Sequence, residues 1–449
     1  MAFSGYLLIS LRVGCVARTL PWVATVAVLS ATVGSAIAGD GNADLPRFLP
    51  ASGNNVYQAK NLLRQWPTGG PRELWRVPIG AGKSGIAELN GRLYTATQVD
   101  NRQYAICLDP ASGRTIWKRL LLPKGNHHVV QGPVSSPLAD GRHVYFFPYD
   151  SDHDDFWEPR CPCFCLRADD GGIVWREAKA FNCTEGSTPL IVGDVLYVGG
   201  GGRENSLAAV DKLTGRLLWK VGEDRDAGHA KVFVTGASLV YQEVGGIPQI
   251  IVCVFKNDVM GVHAGSGRVL WHWTLGRATD SGIVPTPVVV GSRLLLSAFQ
   301  GGAGFSQCLD MTVRDGRIVP HLLYEDQRLQ CNMFHTPSIH QGAVFGFGKG
   351  LAHEALQCTN FADGRLLWQR ESADWKRDRQ LTIADGLIFA ITNKEELVLL
   401  EASRDGYKER GRVKPRIELG MPQQPMIANG RLYLRGEDTL VCYRVGGAE

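Results

Sequence analysis

One phrase recurs along the chain. "STPLIVGDVLYVG" (187–199) returns as "SSPLADGRHVYFF" (135–147), "PTPVVVGSRLLLS" (285–297), "HTPSIHQGAVFGF" (335–347) and "QQPMIANGRLYLR" (423–435). Each copy is a proline, a short apolar run, a Gly-bearing turn and a second β-rich run, the signature of a hairpin whose turn residues tolerate positive φ. "KSGIAELNGRLYTA" (83–96) and "RQLTIADGLIFAI" (379–391) keep the turn without the proline. Proline cannot donate to a sheet ladder, so Pro137, Pro189, Pro287, Pro337 and Pro425 are expected where a strand begins on a sheet edge.

A second phrase interleaves with the first: "CLDPASGRTIW" to Trp117, "CLRADDGGIVW" to Trp175, "AVDKLTGRLLW" to Trp219, "GVHAGSGRVLW" to Trp271 and "CTNFADGRLLW" to Trp368. It reads as a strand, a turn closed by Gly, and an outgoing strand ending in an indole. With Trp75 as the first closing strand, the units recur about every 40–60 residues, and the longer interval from Trp271 to Trp368 holds two. Its degenerate middle copy is "CLDMTVRDGRIVPHLLY" (308–324), with Pro320 near the tryptophan slot; another degenerate copy is "LLEASRDGYKERGRV" (399–413). Eight closing strands and eight hairpins imply an all-β, eight-bladed propeller of four-stranded antiparallel blades. The chain opens on a closing strand and ends on a hairpin plus "TLVCYRV", so both termini are expected to build one blade and remove the free edge.

"AVDKLTGRLLW" resembles the tryptophan-docking repeat of the PQQ-like eight-bladed propellers, and "WPTGGPRELW" (66–75) is similar to the lead-in of their secreted members. The resemblance covers about 66–447. It implies the fold, and two different activities: quinoprotein dehydrogenases that bind pyrroloquinoline quinone with calcium, or non-enzymatic scaffolds such as the propeller lipoprotein of the outer-membrane barrel-assembly machinery. The dehydrogenases carry two adjacent cysteines; none are adjacent here, and no C-x-x-C-H haem site is present. The expectation is an exported binding or protein-interaction module with a protein partner or small-molecule ligand in the envelope. The alternative is a quinone- and calcium-dependent alcohol or sugar dehydrogenase with a divergent site. A carbohydrate-active site would need paired carboxylates, for which Glu185 and Asp280 are the pair to examine.

The ends and the composition bound this further. Arg12 and Arg18, an apolar run from Leu20 to Val33, and Ala36 and Ala38 in A-x-A spacing read residues 1–38 as a signal for export to the periplasm or beyond. The uncharged stretch Leu20 to Ala38 leaves a retained membrane anchor as the competing reading. Residues 39–65 read as a linker and 66–447 as the propeller. A net charge of +4 without clustered Lys or Arg gives no argument for nucleic acid, and a monomer is expected.

Four groups of side chains are candidates for chemistry. Polar residues entering the inner hairpins (His128, Glu185, His229, Asp280, His335, Arg379 and Gln424) would converge on the mouth of the central channel, as a binding funnel or merely as wet rim. Asp150, Asp152 and Asp154 have D-x-D-x-D calcium spacing, but Asp155 and Cys161 stand where such a loop needs Gly and Glu, which leaves a solvated acidic loop open. Cys107, Cys165, Cys308 and Cys358 occupy one repeat slot, taken by Ala209 and Gly261 elsewhere, and read as small packing residues. Cys161 and Cys163, in "CPCFC", are expected to offer a disulfide to Cys183 rather than a zinc site, and Cys308 and Cys331 are a second candidate pair.

Overall fold

The computed structural model describes residues 44–50, 52–125, 131–150, 161–178, 180–181, 183, 186–199, 207–222, 237–254, 258–275, 285–326 (less 301–302), 335–376, 379–420 and 424–446. Residues 1–38 lie wholly outside that set. The remainder is all-β.

Eight four-stranded antiparallel sheets follow one another as blades of a ring, blade 1 at 87–122 and blades 2 to 7 at 138–177, 190–221, 240–274, 288–326, 338–371 and 381–413. Blade 8 takes three strands from 426–444 and its outermost strand, Glu73–Pro78, from the other end of the sequence, with Trp75 opposite Cys442. The ring therefore closes as the sequence implied. Each of the five prolines immediately precedes an innermost strand, where a missing N–H costs the ladder nothing. The hairpin for which no copy of the phrase was quoted turns at Gly245–Gly246, between Val240–Val244 and Ile247–Val254 in blade 4.

The second phrase is a docking device. Trp75, Trp117, Trp175, Trp219 and Trp368 each donate an indole N–H, over 2.9–3.2 Å, to a carbonyl in the turn of the next blade. Four of them also lie flat on that turn's glycine: a Cβ on Gly113, Gly171, Gly215 or Gly267 would stand 2.7–2.8 Å from the ring. These glycines also hold φ near +70°, so two independent constraints exclude a side chain there. Trp271 is the exception, because the following blade has no such turn. It bonds Gln249 Oε1 inside its own blade instead.

Blade 5 corrects one expectation. Its outer strands are long, Ala303–Arg314 and Arg317–Asp326, joined at Asp315–Gly316, and the register sets Cys308 opposite Tyr324, not Pro320. Tyr324 does the tryptophan's work, donating its hydroxyl to Phe361 O at 3.2 Å and covering Gly364. Cys107, Cys165, Cys308 and Cys358 are all buried opposite a docking aromatic, and Cys442 fills the same slot in blade 8. In blade 7 Leu399 fills the cysteine slot, Gly411 stands opposite it in place of the docking aromatic, and Trp66 from the approaching N-terminal segment packs on that glycine.

Candidate functional site

A propeller's natural site is its central channel, where eight innermost strands present free edges of unpaired backbone groups. Here one segment of the same chain bonds the inner edges of blades 1, 2, 5, 6 and 7 and reaches residues just ahead of the innermost strands of blades 3, 4 and 8. The stretch from Leu45 to Tyr57, read from composition as linker, circles inside the ring.

Leu45 exchanges backbone bonds of 2.8 and 2.7 Å with Glu88 of blade 1, and Pro46 O accepts from Ala139 N in blade 2. Arg47 reaches with its guanidinium to Thr188 O and Leu239 O, ahead of blades 3 and 4. Ser52 O accepts from Val289 N in blade 5, and the Asn54 amide makes a reciprocal pair with Ile339 N and O in blade 6. Val56–Tyr57 adds a parallel strand to blade 7, and Gln424 of blade 8 donates to Tyr57 Oη at 2.6 Å. Tyr57 then donates to Phe48 O at 2.7 Å, closing the circle.

Around this segment runs a collar built from one repeat position. The residues just before the innermost strands (Ser136, Thr188, Ser238, Thr286 and Thr336, with Gly85 in blade 1) are equivalent by register. Gly85 N donates to Ser136 Oγ, Thr188 N to Ser238 Oγ, Ser238 N to Thr286 Oγ1 and Thr286 N to Thr336 Oγ1, at 3.0–3.2 Å. The hydroxyls of Ser136, Ser238, Thr286 and Thr336 thus cap the preceding blade's backbone, and the five Ser and Thr residues are at most 5% exposed. The signal lay in plain view as the Ser or Thr before proline in "SSP", "STP", "PTP" and "HTP".

Of the seven proposed mouth residues, His128, Glu185, His229 and Asp280 lie outside the described residues. His335 is fully buried: Nδ1 accepts from Leu381 N at 3.5 Å, Phe347 lies edge-on at 5.3 Å, and desolvation pulls its pKa down to about 3, so the imidazole is neutral. Gln424 is buried too, with its amide donating to Tyr57 and Asn55. The Asn55 amide bonds Leu381 O, so Gln424 and His335 join one hydrogen-bonded chain through Leu381. Arg379, half-buried, bonds Asn393 Oδ1.

Asp150 pairs with Lys124 at 2.5 Å, while Asp152 and Asp154 lie outside the described residues, as does Cys331, the suggested partner of Cys308. Among the described residues, no group of three or more His, Cys, Asp or Glu is placed to hold a metal. Among the described residues, the inner edges of blades 1, 2, 5, 6 and 7 are bonded to residues 45–57.

The fold defines the class as an eight-bladed β-propeller of four-stranded blades, as the repeats implied. The family described as outer membrane protein assembly factor BamB matches residues 162–324. Among solved structures, the chain is similar to BamB from Moraxella catarrhalis (14% identity, 84% of this chain and 98% of that one, TM-score 0.58). It is also similar to the quinohemoprotein alcohol dehydrogenase ADHIIG from Pseudomonas putida HK5 (12% identity, 89% and 78%, TM-score 0.55) and to the computationally designed Ika8 protein (12%, 83% and 100%, TM-score 0.54). At such identities these likenesses establish the fold alone. No curated protein sequence matches the chain.

Proposed function

We propose that the protein is an exported propeller that acts as a protein-interaction module of the cell envelope. The observation that carries this reading is the occupied channel. Residues 45–57 bond to the inner rim, and collar hydroxyls accept backbone N–H groups of the preceding blade. Among the described residues, this leaves the outside of the ring for recognition, a surface suited to a macromolecule. The matched family, described as an outer membrane assembly factor, supports the same reading, and the signal-like residues 1–38 support export.

The test is a titration of the purified propeller, residues 39–449, with pyrroloquinoline quinone, with and without calcium, followed by tryptophan fluorescence. Quenching that grows linearly, without saturation at micromolar quinone and without calcium dependence, is expected. Saturable, calcium-dependent quenching would overturn the proposal and point to an alcohol or sugar dehydrogenase.

A further inference from the structure

Three thiols share one sheet face at the start of the third strand of blade 2. That strand is Cys163–Arg167, and Cys161, two residues earlier, forms an isolated antiparallel bridge with Cys183 from the connection to blade 3. Cys161 N donates to Cys183 O at 3.2 Å, and Cys183 N donates back to Cys161 O at 3.0 Å. Two residues that exchange both backbone bonds stand about 5.5 Å apart at Cα with side chains on the same face, inside the span a disulfide bridges.

Cys163 points the same way, because side chains alternate along a strand. Its register partner is Glu177, however, and relative to Cys183 it is a diagonal neighbour. Diagonal neighbours stand roughly 7–8 Å apart, beyond what the bond tolerates without backbone movement. All three cysteines are at most 1% exposed, within an apolar cluster that includes Tyr149 and Phe181. Burial and the nearby Cys183 hold the Cys163 thiol well above its ordinary pKa, which suits a group that stays protonated and unreactive.

We propose that Cys161 and Cys183 form a disulfide that ties the chain entering the third strand of blade 2 to the chain leaving its fourth, and that Cys163 beside them remains a thiol. The oxidant is a disulfide donor, either glutathione disulfide or a thiol–disulfide oxidoreductase. By two exchange steps it takes two electrons from the two thiols, one Cys161–Cys183 bond forms, the donor's S–S bond breaks, and the donor leaves as two thiols carrying the two protons.

The experiment takes the full chain, equilibrates it with glutathione disulfide, denatures it without reductant, alkylates it, digests it with trypsin and fragments the peptides. Residues 161–167 should be found linked to the peptide containing Cys183, with fragment ions placing the bond on Cys161 and the alkyl group on Cys163. The link should survive Cys163→Ser and vanish in Cys161→Ser. Reduction should lower the unfolding temperature of the wild type and of Cys163→Ser, and leave Cys161→Ser unchanged. Full alkylation of Cys161 and Cys183, a mixed disulfide with glutathione only, or a bond on Cys163 would each overturn the proposal. The wild-type fragment ions decide even if a variant fails to fold.

Discussion

Asn55 is the residue whose replacement most sharply probes the channel-filling segment. It is completely buried; its Nδ2 donates to Leu381 O, and its Oδ1 accepts from Gln424 Nε2 and, at 3.3 Å, from Thr382 Oγ1. Asn55→Leu keeps the volume and the backbone bonds while stranding the Leu381 carbonyl and the Thr382 hydroxyl; Gln424 keeps Tyr57. Each buried polar group left without a partner costs about 1–3 kcal/mol, so stranding two should cost about 2–6 kcal/mol, less about 1 kcal/mol from the added apolar burial. For a ring of roughly 400 residues that unfolds as one unit, this is a fall of about 1–5 °C in unfolding temperature. Scanning fluorimetry and urea unfolding both measure it, and the Asn55→Leu, Gln424→Leu double variant should cost less than the sum of the singles, because the two share a bond. A shift within about 0.5 kcal/mol of wild type, as for an ordinary surface substitution, would refute the placement of Asn55 in the channel.

Two further outcomes follow from the blades. Tyr324→Phe removes the hydroxyl bond to Phe361 O and should cost about 0.5–1.5 kcal/mol, whereas Tyr324→Trp should restore a docking N–H; equal stability of wild type and Phe variant by urea unfolding would contradict the docking role. His335 has a folded pKa near 3 against an ordinary 6.5, so the unfolded chain binds the extra proton between these values. Stability is then fully present above pH 6.5 and is lost as pH falls toward 3, by about 2 kcal/mol at pH 5. His335→Gln should flatten that part of the pH–stability curve, and an unchanged slope would show that His335 does not cause it.

The blades were legible because their signals are local. A proline ahead of a strand, a glycine under an indole and a cysteine opposite it each constrain the backbone within a few residues. The Tyr324 slot was misplaced because counting from the turn assumes equal strand lengths, and in blade 5 the hairpin runs on to Asp315–Gly316. Residues 45–57 read as linker because most of their bonds are made by peptide groups or by isolated Asn and Arg side chains, which leave no periodicity in sequence. The fate of His335 was equally hidden: a polar residue entering a strand can face water or turn inward, and Phe347 and Leu381, distant in sequence from one another, decide which.

Hydrogen exchange of the backbone amides of residues 44–57, read by mass spectrometry on the full chain, tests the occupied channel directly. Protection comparable to that of the innermost strands, such as Leu381–Ala384, with exchange times of hours, is the predicted result. Exchange complete within seconds would mean that the channel stands open and that a small ligand, rather than a protein partner, is what this propeller is built to hold.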